Sequence, residues 1–231
     1  DLPDDVVKKN RADQQLRLHE YLNNMPIMQL VIDYVEADDV VSYVCQHKKY
    51  NEYTKIIVSS DKDFFQLCKD DTVVIWRPIQ KEFINRGILV NKHKIHPNNY
   101  ALARAIDGDK SDNLDGVPRV GMKTIQSAFP FLDEAKAYSC DDLLVHCKMQ
   151  TKQKTIHKKL IEYQDRVKSN YGIMQLYEPQ ISNNGRRYID YSIDGFEHGF
   201  NKLEIQKMLM KDGQGSLNLN DLWAAFKNIK P

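Results

Sequence analysis

Residues 28–39 read Met-Gln-Leu-Val-Ile-Asp-Tyr-Val-Glu-Ala-Asp-Asp. Met28 to Ile32 is an apolar run with the length of a buried strand, and Asp33-Tyr34 is the turn behind it. Glu36, Asp38 and Asp39 then open a helix. Two more acidic clusters follow. Asp61 and Asp63 stand behind a β-branched strand at 55–59, and Asp109 and Asp112 lie in Gly108-Asp109-Lys110-Ser111-Asp112-Asn113. Packed together without counter-charge, these seven carboxylates repel strongly. Hard divalent cations supply that charge, because Mg²⁺ and Mn²⁺ favour oxygen ligands. The pattern predicts a two-metal phosphodiesterase, its ions about 3.5–4 Å apart, clamping a phosphodiester and activating water.

Each acid alone has a structural reading. Glu36, Asp38 and Asp39 suit a helix N-terminus, and Asp61 suits an N-cap before Phe64 and Phe65. Together they point to metal. Asp38 and Asp39 project about 100° apart on a helix, so they can serve neighbouring ions. Asp109 and Asp112 share a helical face or converge from a turn. Asp33, Asp107 and Asp115 read as turn formers. The seven His are dispersed, His93 and His96 read as surface, and no Ser-His-Asp or Cys-His arrangement competes.

Outward from this stretch, 4–23 reads as a helix whose later half turns Leu16, Leu18, Tyr21 and Leu22 inward. A helix is expected over 36–48 with Ala37, Val40, Val41 and Val44 inward, a strand at 72–76, and an edge segment or hairpin at 83–90. Strands alternating with helices predict an α/β fold, a parallel central sheet flanked by helices. Ligands gather outside the carboxyl ends of such strands, where the first two acidic clusters fall. From Pro97 the chain turns helical: 98–106, 123–129, 141–147 and 152–169, with a turn-rich connector at 107–121. An apolar segment at 173–176 rejoins the core, 183–187 is a polar loop, 203–210 a helix, 212–216 a loop, and 219–226 is amphipathic. The segments expected are an α/β core at 1–96, a helical domain at 97–170, and a return to the core at 171–231.

Gly116-Val117-Pro118-Arg119-Val120-Gly121 is a tight connection with glycine at both ends, leading into Lys123 and Thr124 at a helix start. Glycine permits close backbone approach, and helix-start amides can receive a phosphate. An ordinary helix–helix turn is the alternative. Lys8, Lys9 and Arg11 can hold a phosphate or form a solvated helix face. With 33 Lys+Arg against 32 Asp+Glu, the chain is not a simple basic nucleic-acid coat, although an acidic metal pocket would cancel a basic rim. Four Cys without a C-x-x-C pair suggest a reducing compartment. No apolar run is long enough for a membrane span.

In order and spacing these residues resemble the 5′-nuclease (flap endonuclease) family, especially bacteriophage members that remove RNA primers. "EADD" at 36–39, "SSDKDFFQL" at 59–67 and "GDKSDNLDGVPRVGMKT" at 108–124 look like consecutive family signatures, the last like a helix–three-turn–helix. Lys8-Lys9-Asn10-Arg11 resembles the stretch of the helical arch above the active site. The resemblance covers roughly 1–180 and implies a PIN-like core, with a nuclease role for 1–96 and DNA binding for 97–170. It implies Glu36 and Asp38 at the first metal site, and Asp39, Asp61, Asp63, Asp109 and Asp112 at the second. Lys8 and Arg11 would act on the scissile phosphate. Gly116, Val117, Pro118, Val120, Gly121, Lys123 and Thr124 would grip the duplex, hairpin carbonyls holding a K⁺ ion. The implied activity is Mg²⁺-dependent 5′-3′ exonuclease or flap cleavage of DNA or RNA–DNA duplexes, in the cytoplasm (the host's, for a virus), beside replication proteins. Family members carry two further metal-site Asp before the arch, in segments without counterpart in 1–231. The expectations are truncation, a separate N-terminal polypeptide, or a non-catalytic structure-specific DNA-binding module. A single-strand ribonuclease of the related PIN fold usually lacks a counterpart of 108–124.

Overall fold

In Val73–Arg77 every second side chain is buried, and this alternation makes it the central strand of a three-stranded sheet. Strand β1 (Lys55–Val58) pairs with it in parallel, Ile57 beside Ile75; Val73–Arg77 is β2; and β3 (Glu82–Ile84) pairs with β2 antiparallel. The computed structural model describes residues 3–197 and 199–228. The sheet belongs to the larger of two compact units, residues 34–181; the other unit is residues 1–33 with 182–231.

Helix α1 (Asp4–Leu22) lies in the smaller unit, and α2 (Ala37–Cys45) opens the larger one. One sheet face, with Ile57, Val73, Ile75 and Ile84, joins Phe64, Phe65 and Leu67 of a 3₁₀ helix, Asp63–Leu67, in one apolar core. The other face leaves Ile56, Val58 and Phe83 exposed. After α3 (Arg86–Ile88) and a π-turn, Leu89–His93, comes α4 (Pro97–Asp107), almost wholly buried. Its Tyr100 ring packs on Phe65, centroids 5.3 Å apart. A two-residue ladder of β4 (Gly108–Asp109) and β5 (Leu114–Asp115) leads to α5 (Met122–Ala128), α6 (Cys140–Met149), α7 (Thr155–Glu162) and α8 (Gln164–Met174). Behind α8 the chain returns to the core as expected. Buried Gln66 donates to the Met174 carbonyl at 2.9 Å and accepts from the Leu176 amide at 2.7 Å. Ile173, however, stays exposed.

Several local expectations change. Residues 28–32 run without a ladder partner among the described residues, and Val31 is 72% exposed. An apolar run becomes a strand only where another segment accepts its backbone hydrogen bonds. No side chain of α1 is buried, and Leu16 and Leu18 are exposed. Polar anchors hold that helix instead: Arg17 Nε donates to Asp212 at 2.7 Å, and the Tyr21 hydroxyl to the same carboxylate at 2.7 Å. The helix expected over 36–48 ends at Cys45, and Ala37 is exposed. The 152–169 helix is two, α7 and α8. Residues 183–187 are not a loop but the first turns of α9 (Asn183–Asp194): Ser182 Oγ accepts from the Gly185 amide at 3.2 Å, and Ile189 and Ile193 are fully buried. The polar start hid a helix whose apolar face begins later. The smaller unit also holds α10 (Lys202–Lys211) and α11 (Asn220–Lys227).

At 108–116 the backbones touch. A Cβ on Gly116 would lie 2.1 Å from the Asp107 carbonyl oxygen, whereas one on Gly172, inside α8, meets no atom within 4 Å. Gly116→Ala is expected to lose about 2–3 kcal/mol of stability through overpacking. Gly172→Ala is expected to gain about 0.5–1 kcal/mol from helix propensity. Urea unfolding of the two variants checks both signs.

Candidate functional site

The parallel strand β1 delivers the chain to Ser59-Ser60-Asp61, and the next residues fold back on themselves. Asp61 Oδ1 accepts from the Asp63 amide at 2.9 Å, an Asx turn that opens the 3₁₀ helix. That turn aims Asp63 at Arg104 of α4, whose Nε donates to Asp63 Oδ1 at 3.0 Å. The same guanidinium donates through Nη2 to Asp109 Oδ2, and through Nη1 to the Gly108 carbonyl at 3.2 Å. Asp109 is held from its other side, Oδ1 accepting from the Ser111 amide at 2.8 Å and from its hydroxyl. Asp63, Asp109 and Asp112 each bring a carboxylate oxygen within 4.8 Å of the others.

The first cluster joins this group electrostatically. Asp38 is pushed up to about 6, first by burial, then by the charges of Asp61, Asp63, Glu36 and Asp39. Burial also raises Asp63, more than Arg104 lowers it. Burial acts likewise on Asp109, but there the Ser111 bonds and Arg104 outweigh it, and the carboxyl lies below its ordinary value. The donors are all carboxylate oxygens, the set that suits Mg²⁺ or Mn²⁺. Of the five acids assigned to a second ion, Asp63, Asp109 and Asp112 converge. Asp61 supports the turn. Asp39 accepts from the Gln180 amide at 2.9 Å. Glu36 and Asp112 are exposed. Lys8 and Arg11 lie exposed on α1, within the smaller unit.

Sequence reasoning missed Arg104. Its signal was present: a lone arginine flanked by Ala101, Leu102, Ala103, Ala105 and Ile106, each at most 1% exposed, five residues before Asp109. Asp107, read as a turn former, accepts from the Met122 amide at the start of α5.

In the 116–121 hairpin, Val117 and Val120 are buried and Pro118 and Arg119 form an exposed tip. Arg119 has φ 59°, in the left-handed region. Gly121, Lys123 and Thr124 are exposed beside it. Three of the hairpin carbonyls expected to hold K⁺ already accept hydrogen bonds. Gly116 accepts from Arg166 Nη1 at 3.1 Å, Pro118 from Lys159 Nζ at 2.6 Å, and Val117 from the Val120 amide at 3.1 Å. Two of these three partners are side-chain cations, an arrangement that disfavours a further cation at the Gly116 and Pro118 carbonyls.

The model of the 5′-3′ exonuclease N-terminal resolvase-like domain matches residues 7–96. A 5′-3′ exonuclease of Buchnera aphidicola is 32% identical over 124 residues, 51% of this chain and 43% of the relative. A 5′-3′ exonuclease of Halalkalibacterium halodurans is 29% identical over 171 residues, 72% of this chain and 53% of the relative. The chain thus spans about half the length of these curated relatives, or less. A mutant of bacteriophage T5 5′-exonuclease shares the fold at TM-score 0.60 and 18% identity, over 78% of this chain and 80% of that one. A T5 flap endonuclease complex with DNA and metal ions aligns at TM-score 0.53 and 18% identity, over 79% of this chain and 60% of that one.

The raised Asp38 carboxyl favours the folded state while protonated. That contribution is complete below its unfolded value near 4 and is lost as pH rises through about 6. In metal-free protein, Asp38→Asn is expected to flatten the fall of Tm across this window. Melting curves in EDTA from about pH 4 to about pH 7 check it.

Proposed function

Given that the chain belongs to the 5′-nuclease (flap endonuclease) family, we propose that it hydrolyses phosphodiester bonds at 5′ ends or flaps of DNA or RNA–DNA duplexes, in primer removal during replication. The observation that carries this reading is the gathering of Asp63, Asp109 and Asp112, with Asp38 feeling Asp61 and Asp63, from three remote stretches of chain. Divalent Mg²⁺, or Mn²⁺, would supply Lewis acidity and an activated water when bound. Glu36 and Asp38 would hold one ion, and Asp63, Asp109 and Asp112 the other, with Asp39 and Asp61 reaching it through water. Arg104 neutralises Asp63 and Asp109 in the metal-free protein and positions both. Lys8 and Arg11 would meet the scissile phosphate and oppose the charge that grows there.

In this reading 1–96 carries the cleavage chemistry, 97–170 the duplex grip, and 171–231 starts with the return to the core before passing at 182 into the smaller unit. Gly116, Val117, Pro118, Val120, Gly121, Lys123 and Thr124 approach the phosphate backbone, so binding is salt-dependent and nearly indifferent to sequence. One observation favours the competing reading, a structure-specific DNA-binding module without cleavage. Arg104 already pairs with two of the three clustered acids.

The deciding measurement is Mg²⁺-dependent release of product from an end-labelled 5′-flap duplex by the full-length protein. Asp63→Ala and Asp112→Ala are each expected to slow cleavage more than about 100-fold, beyond the usual cost of losing an outer-shell partner. Duplex affinity should stay within about threefold, because the backbone contacts lie elsewhere. Cleavage at the unmodified rate by either variant would overturn the metal-centre reading. Duplex binding with no cleavage in Mg²⁺ or Mn²⁺ would establish the binding module.

A further inference from the structure

Three carbonyls in the run 115–118 face side chains from α7 and α8. Asn170 Nδ2 donates to the Asp115 carbonyl at 3.0 Å, Arg166 Nη1 to Gly116 at 3.1 Å, and Lys159 Nζ to Pro118 at 2.6 Å. Arg166 and Asn170 are four residues apart and so share one face of α8. Asn170 is buried and also holds the Ala105 carbonyl at 3.0 Å, which fixes the hairpin to the end of α4. The Arg166 guanidinium lies over the Tyr163 ring, 5.1 Å from its centroid.

A monovalent ion held by backbone needs several carbonyl oxygens turned to it, and no fixed positive charge among them. Here two of the oxygens each hold a cation, so an ion bound at these same carbonyls would meet both positive charges. We propose that Lys159 and Arg166 replace a monovalent ion in this chain, so that the 116–121 hairpin grips a nucleic-acid phosphate through side-chain cations and without K⁺. The inference rests on the reading that this hairpin holds a duplex.

Both groups keep donors for a phosphate. An ammonium has three N–H and a guanidinium five, and each uses one on its carbonyl. Arg119 adds a third positive charge at the exposed tip, at a left-handed φ of 59° that disfavours any residue with a Cβ. The tip keeps a cation at a backbone position suited to glycine.

The test is fluorescence anisotropy of a 5′-tailed duplex with the full-length protein in EDTA, in NaCl, KCl and CsCl at equal ionic strength. Affinity is expected to agree among the three salts within about twofold, as for counterion release alone. Lys159→Gln keeps a donor for the Pro118 carbonyl and removes the charge. It is expected to weaken binding in every salt and to lower the salt slope by about one. Arg166→Gln is expected to do the same. The double alanine variant bares both carbonyls and is expected to bind more tightly in KCl than in NaCl; should it not fold, the two glutamine variants decide alone. Unmodified protein that binds more than about fivefold tighter in KCl than in NaCl overturns the inference alone, since ionic strength is held equal. So does an unchanged salt slope in both glutamine variants. Unmodified protein that binds no duplex in any salt overturns the hairpin reading, and the inference with it.

Discussion

The guanidinium of Arg104 lies between Asp63 and Asp109, and the arrangement of the larger unit depends on that contact. All three side chains are 13–14% exposed, so their charges are poorly screened. Two such carboxylates without a cation would repel each other strongly. Removing one partner from a pair this secluded is far more damaging than never having built it. Each member is therefore held from behind. The Asx turn of Asp61 fixes Asp63, Ser111 fixes Asp109, and the packed faces of α4 fix Arg104. The arginine does not reach every acid. Asp38, half-buried among four other carboxylates, keeps a raised affinity for a proton, the response expected of an acid in an excess of negative charge.

Acid cluster and hairpin share one scaffold. Helix α4 ends at Gly108, whose φ of 82° turns the backbone into the β4–β5 ladder. Gly108 and Gly116 then lie so close that a Cβ on Gly108 would fall 2.3 Å from the Gly116 amide nitrogen. Asn170 clamps this crossing by holding Ala105 and Asp115 together. Asp109 follows Gly108 and the 116–121 hairpin begins at Gly116, so both lead out of this crossing. A shift of α8 would therefore disturb the acids and the hairpin together.

Three cations that matter here come from residues whose sequence context is bland. Lys159 lies in a basic stretch of α7, Arg166 in a polar stretch of α8, and Arg104 in an apolar run. Only the run around Arg104 carried a warning, because an arginine amid buried alanines and leucine needs a partner. For Lys159 and Arg166 the partner is a backbone carbonyl more than forty residues away, and no side-chain pattern encodes that.

The sequence by itself determined the chemistry and the local punctuation. Its acids stand behind a β-branched strand and behind a buried helix, its glycines bound one tight hairpin, and its strand–helix alternation yields the parallel pair β1–β2. These are local signals, set by hydrogen-bond demand and side-chain periodicity within a few residues. The tertiary structure alone decided which acids meet, that Asp39 turns to the Gln180 amide while Asp63, Asp109 and Asp112 converge, and that Arg104 pairs with Asp63 and Asp109. It also decided that residues 28–32 find no ladder partner among the described residues and that polar 183–187 begins a helix. Charge pairing and strand pairing join segments far apart in the chain. Their outcome depends on distances that a one-dimensional pattern does not contain.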